Sequence, residues 1–429
     1  MTDPLVYVRA IHFAATLLAA GAVYFVVLVL PRTEAETIST TRLRKWLAVI
    51  AWCSLAVCVV SGAFWLALNA RSMSGQPLVE LLPQGVIGTV LWQTEFGNAW
   101  LIRFAAAVLF AAAMPVLFTP KKPPLWIETA TVILATVLTG GLAWAGHAIG
   151  ASGVESVAHP TADVLHLIAA AAWLGALPLL GLLLGFAARG DVSLAAARIA
   201  TIRFSMLGTA SVATLLVSGI VNTWYLAGSV AALTDTSYGR LLLIKIALFL
   251  GMVAVAAVNR LYVTPRLLYD DSAPTAALTL RRNALVETFG GVAILLIIAK
   301  LGTMTPANHL GLHAGAVPAD AAFVHIHSGE GMADVTINPG HTGVARASVR
   351  LWDEDFNPLN AKAMTFGVAP PDAPAKATNR PAAQDADGAW HIDNIELPQQ
   401  GNWTVTVDIT LGSGKHVLLD APIVIDPAQ

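Results

Sequence analysis

Up to about residue 305 the chain alternates long apolar blocks with short polar breaks, and beyond that point the pattern changes period. Crossing a hydrocarbon core ~30 Å thick takes about 18 or more mostly apolar residues in a helix. Eight blocks reach that length: 5–30, 43–70, 98–118, 126–151, 158–187, 197–228, 240–264 and 284–305. Segment 71–97, with QPLVELLPQG and GTVLWQTEFG, is too broken to span and is expected to lie along a membrane surface. After Pro306 come MADVTIN, VARASVRLW, KAMTFGV, AWHIDNIEL, GNWTVTVDITL and KHVLLDAPIVI, separated by Gly, Pro, Asn and Asp. Alternating runs so punctuated predict about six short strands in an antiparallel sandwich. The expected architecture is an all-α polytopic membrane bundle of about eight transmembrane helices over 1–306, then a small all-β immunoglobulin-like sandwich over 307–429.

Composition agrees: 56% of residues are apolar and 12% charged, against roughly 45–50% and 25% in ordinary soluble domains. A net charge of −2 gives no reason to expect nucleic acid as a partner. The first block is too long for a signal-peptide core, lacks a basic leader and contains Arg9 and His12, so it is read as a retained helix. Loop charge orients the bundle. Arg32, Arg42, Arg44 and Lys45, then Lys121 and Lys122, then Arg189, Arg198 and Arg203, then Arg260, Arg266, Arg281 and Arg282 fall in alternate connections. The intervening ones hold only Arg71. The positive-inside rule makes the basic loops cytoplasmic and sends both termini, with the sandwich, to the periplasmic side.

Ionisable groups inside a membrane are costly and default to a functional reading. The stretch VAHPTADVLHLIAAAAWLGALPLL, residues 157–180, carries His159, Asp163 and His166 at spacing i, i+4, i+7, which is one helical stripe, continued by Trp173. Counting down from the outer ends at 1.5 Å per residue puts His159 at the surface, His147 about 6 Å deep, His12 about 10 Å and His166 about 12 Å. Imidazoles from several helices at similar depth could converge on one cation, with Asp163 orienting a ring. Other polar groups are read as structural. Lys245 and Lys300 snorkel, Arg203 pairs with Glu287, Asn222 and Asn259 bridge helices, and Cys53 and Cys58 are small core residues.

The outer region holds a second cluster. His309 and His313 lie four apart just past the last helix, and His325, His327 and Met332 follow in FVHIHSGEGMADV. In an extended strand His325 and His327 share a face and can chelate together, while Met332 offers a soft thioether. His341, His391 and His416 are read as surface residues. There is no GxSxG elbow, HExxH pair or GxxxxGK[ST] loop, so neither ordinary catalysis nor nucleotide-driven transport is expected.

His12 in the first helix, WAGHA, DVLHLIAAAAWLGALPL, IRFS, TSYGRLLLIKIAL, VNRLYVTPRL and ALVETFGG occur in an order that resembles the copper resistance protein D family of bacterial inner-membrane proteins. HIHSGEGMADVTINPG, DEDFNPLNAKAMTFGV and DGAWHIDNIELPQQGNWTVTVDI are similar to the YtkA-like sandwich often fused behind it. The resemblance implies copper handling, with His12, His147 and His166 as membrane ligands and His325 and His327 as outer ligands. His159 enters on the stripe alone. The expected cofactor is copper, cuprous in form, taken from the periplasm and moved inward or passed to cuproprotein assembly. Two alternatives stay open: an outer-leaflet b-type haem held by axial histidines, and a scaffold that docks a periplasmic copper chaperone.

Overall fold

The computed structural model describes residues 4–31, 34–74, 77–83, 85–119, 123–145, 155–227, 229–269, 273–304, 318, 320–328, 331–353, 358–370, 378–412 and 414–427. The chain forms two compact units, Met1–Ala148 with Ala158–Gly311 and Ile149–Val157 with Leu312–Gln429. The first is helical: α1 (Pro4–Tyr24), α2 (Glu34–Ser74), α3 (Val86–Gln93), α4 (Glu95–Leu117), α5 (Leu125–Gly140), α6 (Glu155–Ala170), α7 (Leu177–Ala188), α8 (Leu194–Ala227), α9 (Val230–Asp235), α10 (Ser237–Val258) and α11 (Ala273–Leu301).

Among the described residues, seven helical segments have the length and apolar composition to cross a membrane: Pro4–Val29, Thr40–Arg71, Phe96–Leu117, Ala158–Ala188, Leu194–Ala227, Ser237–Leu267 and Ala273–Leu301. The eighth expected span contains the shorter apolar helix α5, which ends at Gly140 and gives way to a 3-10 turn at Ala143–Ala145. Within 71–97 the described residues form the end of α2, a turn over 77–83, α3, whose Trp92 is exposed, and the start of α4.

The bundle is built around α1. It packs on α2, α5 and α11, and on a π-turn at Ala171–Gly175 that joins α6 to α7. A Cβ on Gly21 would lie 2.2 Å from the carbonyl carbon of Gly175, and one on Gly175 would lie 2.0 Å from the Leu17 carbonyl oxygen. Only glycine lets these two backbones touch, and Ala19, Ala20, Ala171 and Ala172 extend the small-residue seam. The basic loops meet at one end of the unit: Arg203 reaches the Leu30 carbonyl at 3.4 Å, Arg42 pairs with Asp191 at 3.2 Å and Arg198 donates to the Leu267 carbonyl. Glu287 does not take Arg203. It accepts from Asn259 Nδ2 at 2.9 Å, and Asn283 donates to Asn259 Oδ1 at 2.6 Å, because a neighbouring helix offers a closer neutral donor.

The second unit is an antiparallel sandwich, with nine strands among the described residues: β1 (Ala322–Ser328), β2 (Gly331–Asn338), β3 (Gly343–Trp352), β4 (Ala361–Ala369), β5 (Thr378–Pro381), β6 (Ala383–Gln384), β7 (Trp390–Leu397), β8 (Gly401–Leu411) and β9 (His416–Ile425). The sheets run β1-β2-β3-β7-β6 and β5-β4-β8-β9. The six alternating runs are β2, β3, β4, β7, β8 and β9; β1 and the short β5 and β6 are additional. Ile326, Val335, Val349, Phe366, Trp390, Trp403 and Val407 fill the space between the sheets.

Candidate functional site

The 157–180 stripe lies along α6, which is stitched to α8 by three side-chain pairs. His159 stacks on Tyr225 with ring centres 5.1 Å apart, Asn222 Nδ2 donates to Asp163 Oδ1 at 2.5 Å, and His166 Nδ1 meets Ser218 Oγ at 2.9 Å. As the α6 number rises the α8 number falls, the signature of antiparallel helices in register. His159, Asp163, His166 and Asn222 line one cavity of about 530 Å³, together with Lys245 of α10 and apolar groups such as Trp173. Lys245 thus lines the same cavity as Asp163 instead of reaching for headgroups.

Hydrogen-bond logic assigns the ring of His166. Ser218 Oγ donates its one proton to the Thr214 carbonyl at 2.6 Å, so toward His166 it accepts. Nδ1 therefore carries the ring proton, and the Nε2 lone pair is the one a metal could take. His159 Nε2 is buried and has no hydrogen-bond partner among the described residues, its nearest oxygen being Asp163 Oδ2 at 3.7 Å. Asn222 Oδ1 is likewise buried without a partner. Buried polar atoms of this kind are ordinarily satisfied by an ordered water, an ion or a ligand.

His12 is not among the residues lining that cavity. Arg103 Nη2 lies 2.7 Å from its Nε2, and a guanidinium only donates, so Nε2 accepts. Nδ1–H then points at the Cys58 carbonyl and Ser61 Oγ, each at 3.0 Å. Both nitrogens are occupied, Arg103 is further held by the Leu138 carbonyl at 3.0 Å, and Trp65 packs edge-on against the ring. The structure therefore brings His159 and His166 to one cavity and sends His12 to a separate hydrogen-bonded cluster with α2 and α4. His147, His309 and His313 lie outside the described residues.

In the sandwich, β1–β2 register sets His325 opposite Asp334 and His327 opposite Met332, and β2–β3 register sets Met332 opposite Trp352. His325, Met332, Asp334 and Trp352 stand on the sheet face away from Ile326, Ala333 and Val335. Asp334, 4% exposed, joins His325 Nδ1 at 2.6 Å through Oδ1 and accepts from Trp352 Nε1 at 2.6 Å through Oδ2. A carboxylate on Nδ1 holds the ring with Nε2 as its ligating atom. Met332 is on the expected face but fully buried, and the His327 side chain lies outside the described residues. His416 is exposed, as expected, whereas His391 is half-enclosed with Nε2 3.2 Å from Asp385. Asp387 stands beside it, but its carboxyl already accepts from Ala389 N–H and Arg350, which hold it below the usual range.

A family model described as Copper resistance protein D matches residues 197–301, and one described as Copper resistance protein D-like, N-terminal domain matches 1–158. Copper resistance protein D of Pseudomonas syringae pv. tomato is 31% identical over 323 residues, 73% of this chain and 100% of that protein. The chain belongs to the copper resistance protein D family. Two further relatives of this copper resistance protein D family member are Inner membrane protein YebZ of Escherichia coli, 30% identical over 299 residues (70% of this chain, 97% of that one), and Copper transport protein CutJ of Bacillus subtilis. The latter is 25% identical over 420 residues, 95% of this chain and 72% of that one, so the likeness extends into the sandwich.

Sequence reasoning missed two polar groups in this family member, Ser218 on α8 and Asp334 on β2, and placed two others outside the site: Asn222, which bridges α8 to α6 as expected, and Lys245 on α10. Asp334 had a legible signal, since HIH and MAD are adjacent strands whose hairpin register pairs the outer-facing positions. Ser218 had none; it becomes a partner only when α8 is laid antiparallel on α6.

Proposed function

We propose that this multi-pass membrane protein binds copper, in its cuprous form, and moves it from the periplasmic side inward or to cuproprotein assembly. The sandwich captures the ion through His325, His327 and Met332, helped by His309 and His313, and the membrane cavity receives it at His159, Asp163 and His166. Neutral imidazole suits copper, and the stripe gives successive ligands separated by about one helical turn, roughly 5 Å. The observation that carries the reading is the pair of α6 imidazoles in one cavity, His166 held with its proton on Nδ1 and His159 with a buried Nε2 that has no hydrogen-bond partner among the described residues. His147 stays in the proposed set by motif position, and His12 joins only where Arg103 leaves its Nε2. A haem held by two axial imidazoles needs rings facing each other across the iron. His159 and His166 rise from one side of one helix, which favours a metal ion over haem. A periplasmic copper chaperone would supply the sandwich, and no reaction beyond ligand exchange is assigned.

The test is metal analysis of the purified full chain loaded with copper under reducing conditions. Wild type is expected to retain copper, His159→Ala/His166→Ala to lose the membrane-bound share, and His325→Ala/His327→Ala the outer share. Equal copper in all three, or a Soret band with stoichiometric haem, overturns the reading.

A further inference from the structure

We infer that the cavity of the helical unit binds a membrane quinone, entered sideways from the bilayer between α8 and α10. Its volume, about 530 Å³, is far beyond what an ion needs and falls in the ~300–1,000 Å³ range of organic-ligand pockets. The wall is mostly apolar and partly aromatic, including Phe13, Trp173 and Phe249.

The mouth is defined by lining residues that are also on the outer surface. Leu216, Ile220 and Trp224 repeat every fourth residue along α8, all exposed, and exposed Leu250 stands across from them on α10. The two helices pack little against each other and are joined through α9. A molecule dissolved in the hydrocarbon reaches the cavity by this gap without passing through water.

The polar end sets the chemistry of the head. The charged groups on the lining are Asp163, Lys245 and Arg9, whose Nη1 donates to the Gly302 carbonyl at 2.6 Å, and among the described residues the buried polar atoms without a hydrogen-bond partner include His159 Nε2 and Asn222 Oδ1. A neutral ring that carries carbonyl groups when oxidised and hydroxyl groups when reduced matches such a set: a hydroxyl donates to Asn222 Oδ1, and His159 Nε2 either donates to a carbonyl or accepts from a hydroxyl. A phospholipid phosphate or a fatty-acid carboxylate would bring a second anion beside Asp163, at the desolvation cost of an intramembrane charge. The polar end is shared with the proposed copper ligands, but the argument for a quinone stands without copper.

Full-length protein is purified without added metal, its lipophiles are extracted and identified by chromatography with mass spectrometry, and retention of a tritiated short-chain ubiquinone is measured in nanodiscs. Quinone is expected to co-purify stoichiometrically. The double variant Leu216→Trp/Leu250→Trp, which narrows the mouth without altering His159, Asp163 or His166, is expected to hold the analogue about tenfold or more weakly. Absence of quinone from the extract together with equal analogue retention by wild type and variant overturns the inference, as does a fatty acid or phospholipid found in its place. Copper content is assayed on the same preparations, so loss of quinone binding and loss of copper binding are read independently.

Discussion

What separates the three described membrane histidines is the atom that meets each ring's second nitrogen. At His12 that atom is a guanidinium nitrogen, which blocks the lone pair; at His166 a serine hydroxyl takes the proton and leaves the lone pair on Nε2; at His159 no hydrogen-bond partner is present among the described residues. In the sandwich Asp334 does for His325 what Ser218 does for His166. Asp334→Asn is predicted to weaken copper binding at the outer site about 10–100-fold, the usual effect of losing a group behind a metal ligand. The amide donates to Nδ1, drives the ring proton to Nε2 and blocks the ligating atom, while Trp352 keeps its acceptor. Cuprous titration against a competing chelator checks this, and an unchanged affinity would remove His325 Nε2 from the proposal.

Among elements, the tightest constraint is the crossing of α1 with the π-turn at Ala171–Gly175. Gly175→Ala places a methyl 2.0 Å from a backbone oxygen that cannot move alone. Overpacking of this kind costs about 1–3 kcal/mol. The expected outcome is a lowered thermal unfolding midpoint in detergent. Gly251→Ala serves as contrast: nothing lies within 4 Å of its added Cβ, and alanine is favoured over glycine in a helix by ~1 kcal/mol. Equal midpoints for the two variants would mean the seam is not close-packed. The same crossing fixes the direction in which α6 presents its stripe, because Trp173 on the turn continues it into the cavity.

For the molecule as a whole, the positive-inside rule predicts a cytoplasmic location for the basic loops and a periplasmic one for the sandwich. With Cys53 and Cys58 replaced by Ser and Ala, a cysteine at exposed Leu418 is expected to react with a membrane-impermeant maleimide in intact spheroplasts, and one at Arg189 only after permeabilisation. The reverse pattern would invert the topology. Much of this level was written locally: apolar runs of bilayer length, alternating runs of strand length and the charge of each loop need no knowledge of neighbours. The stripe of His159, Asp163 and His166 was legible for the same reason, since helical period alone puts those residues on one side. Which helix that side meets was not. Depth treated His12 as the equal of His166, but depth is one coordinate, and the angle at which each helix packs supplies the other two. The linear chain determined the number and nature of the elements and the chemistry they carry. Only the packed structure decided that Arg103 claims His12, that Lys245 lines the same cavity as Asp163 and that Ser218 assigns the proton of His166, because hydrogen bonds and charge pairs between helices depend on distances that no local pattern encodes.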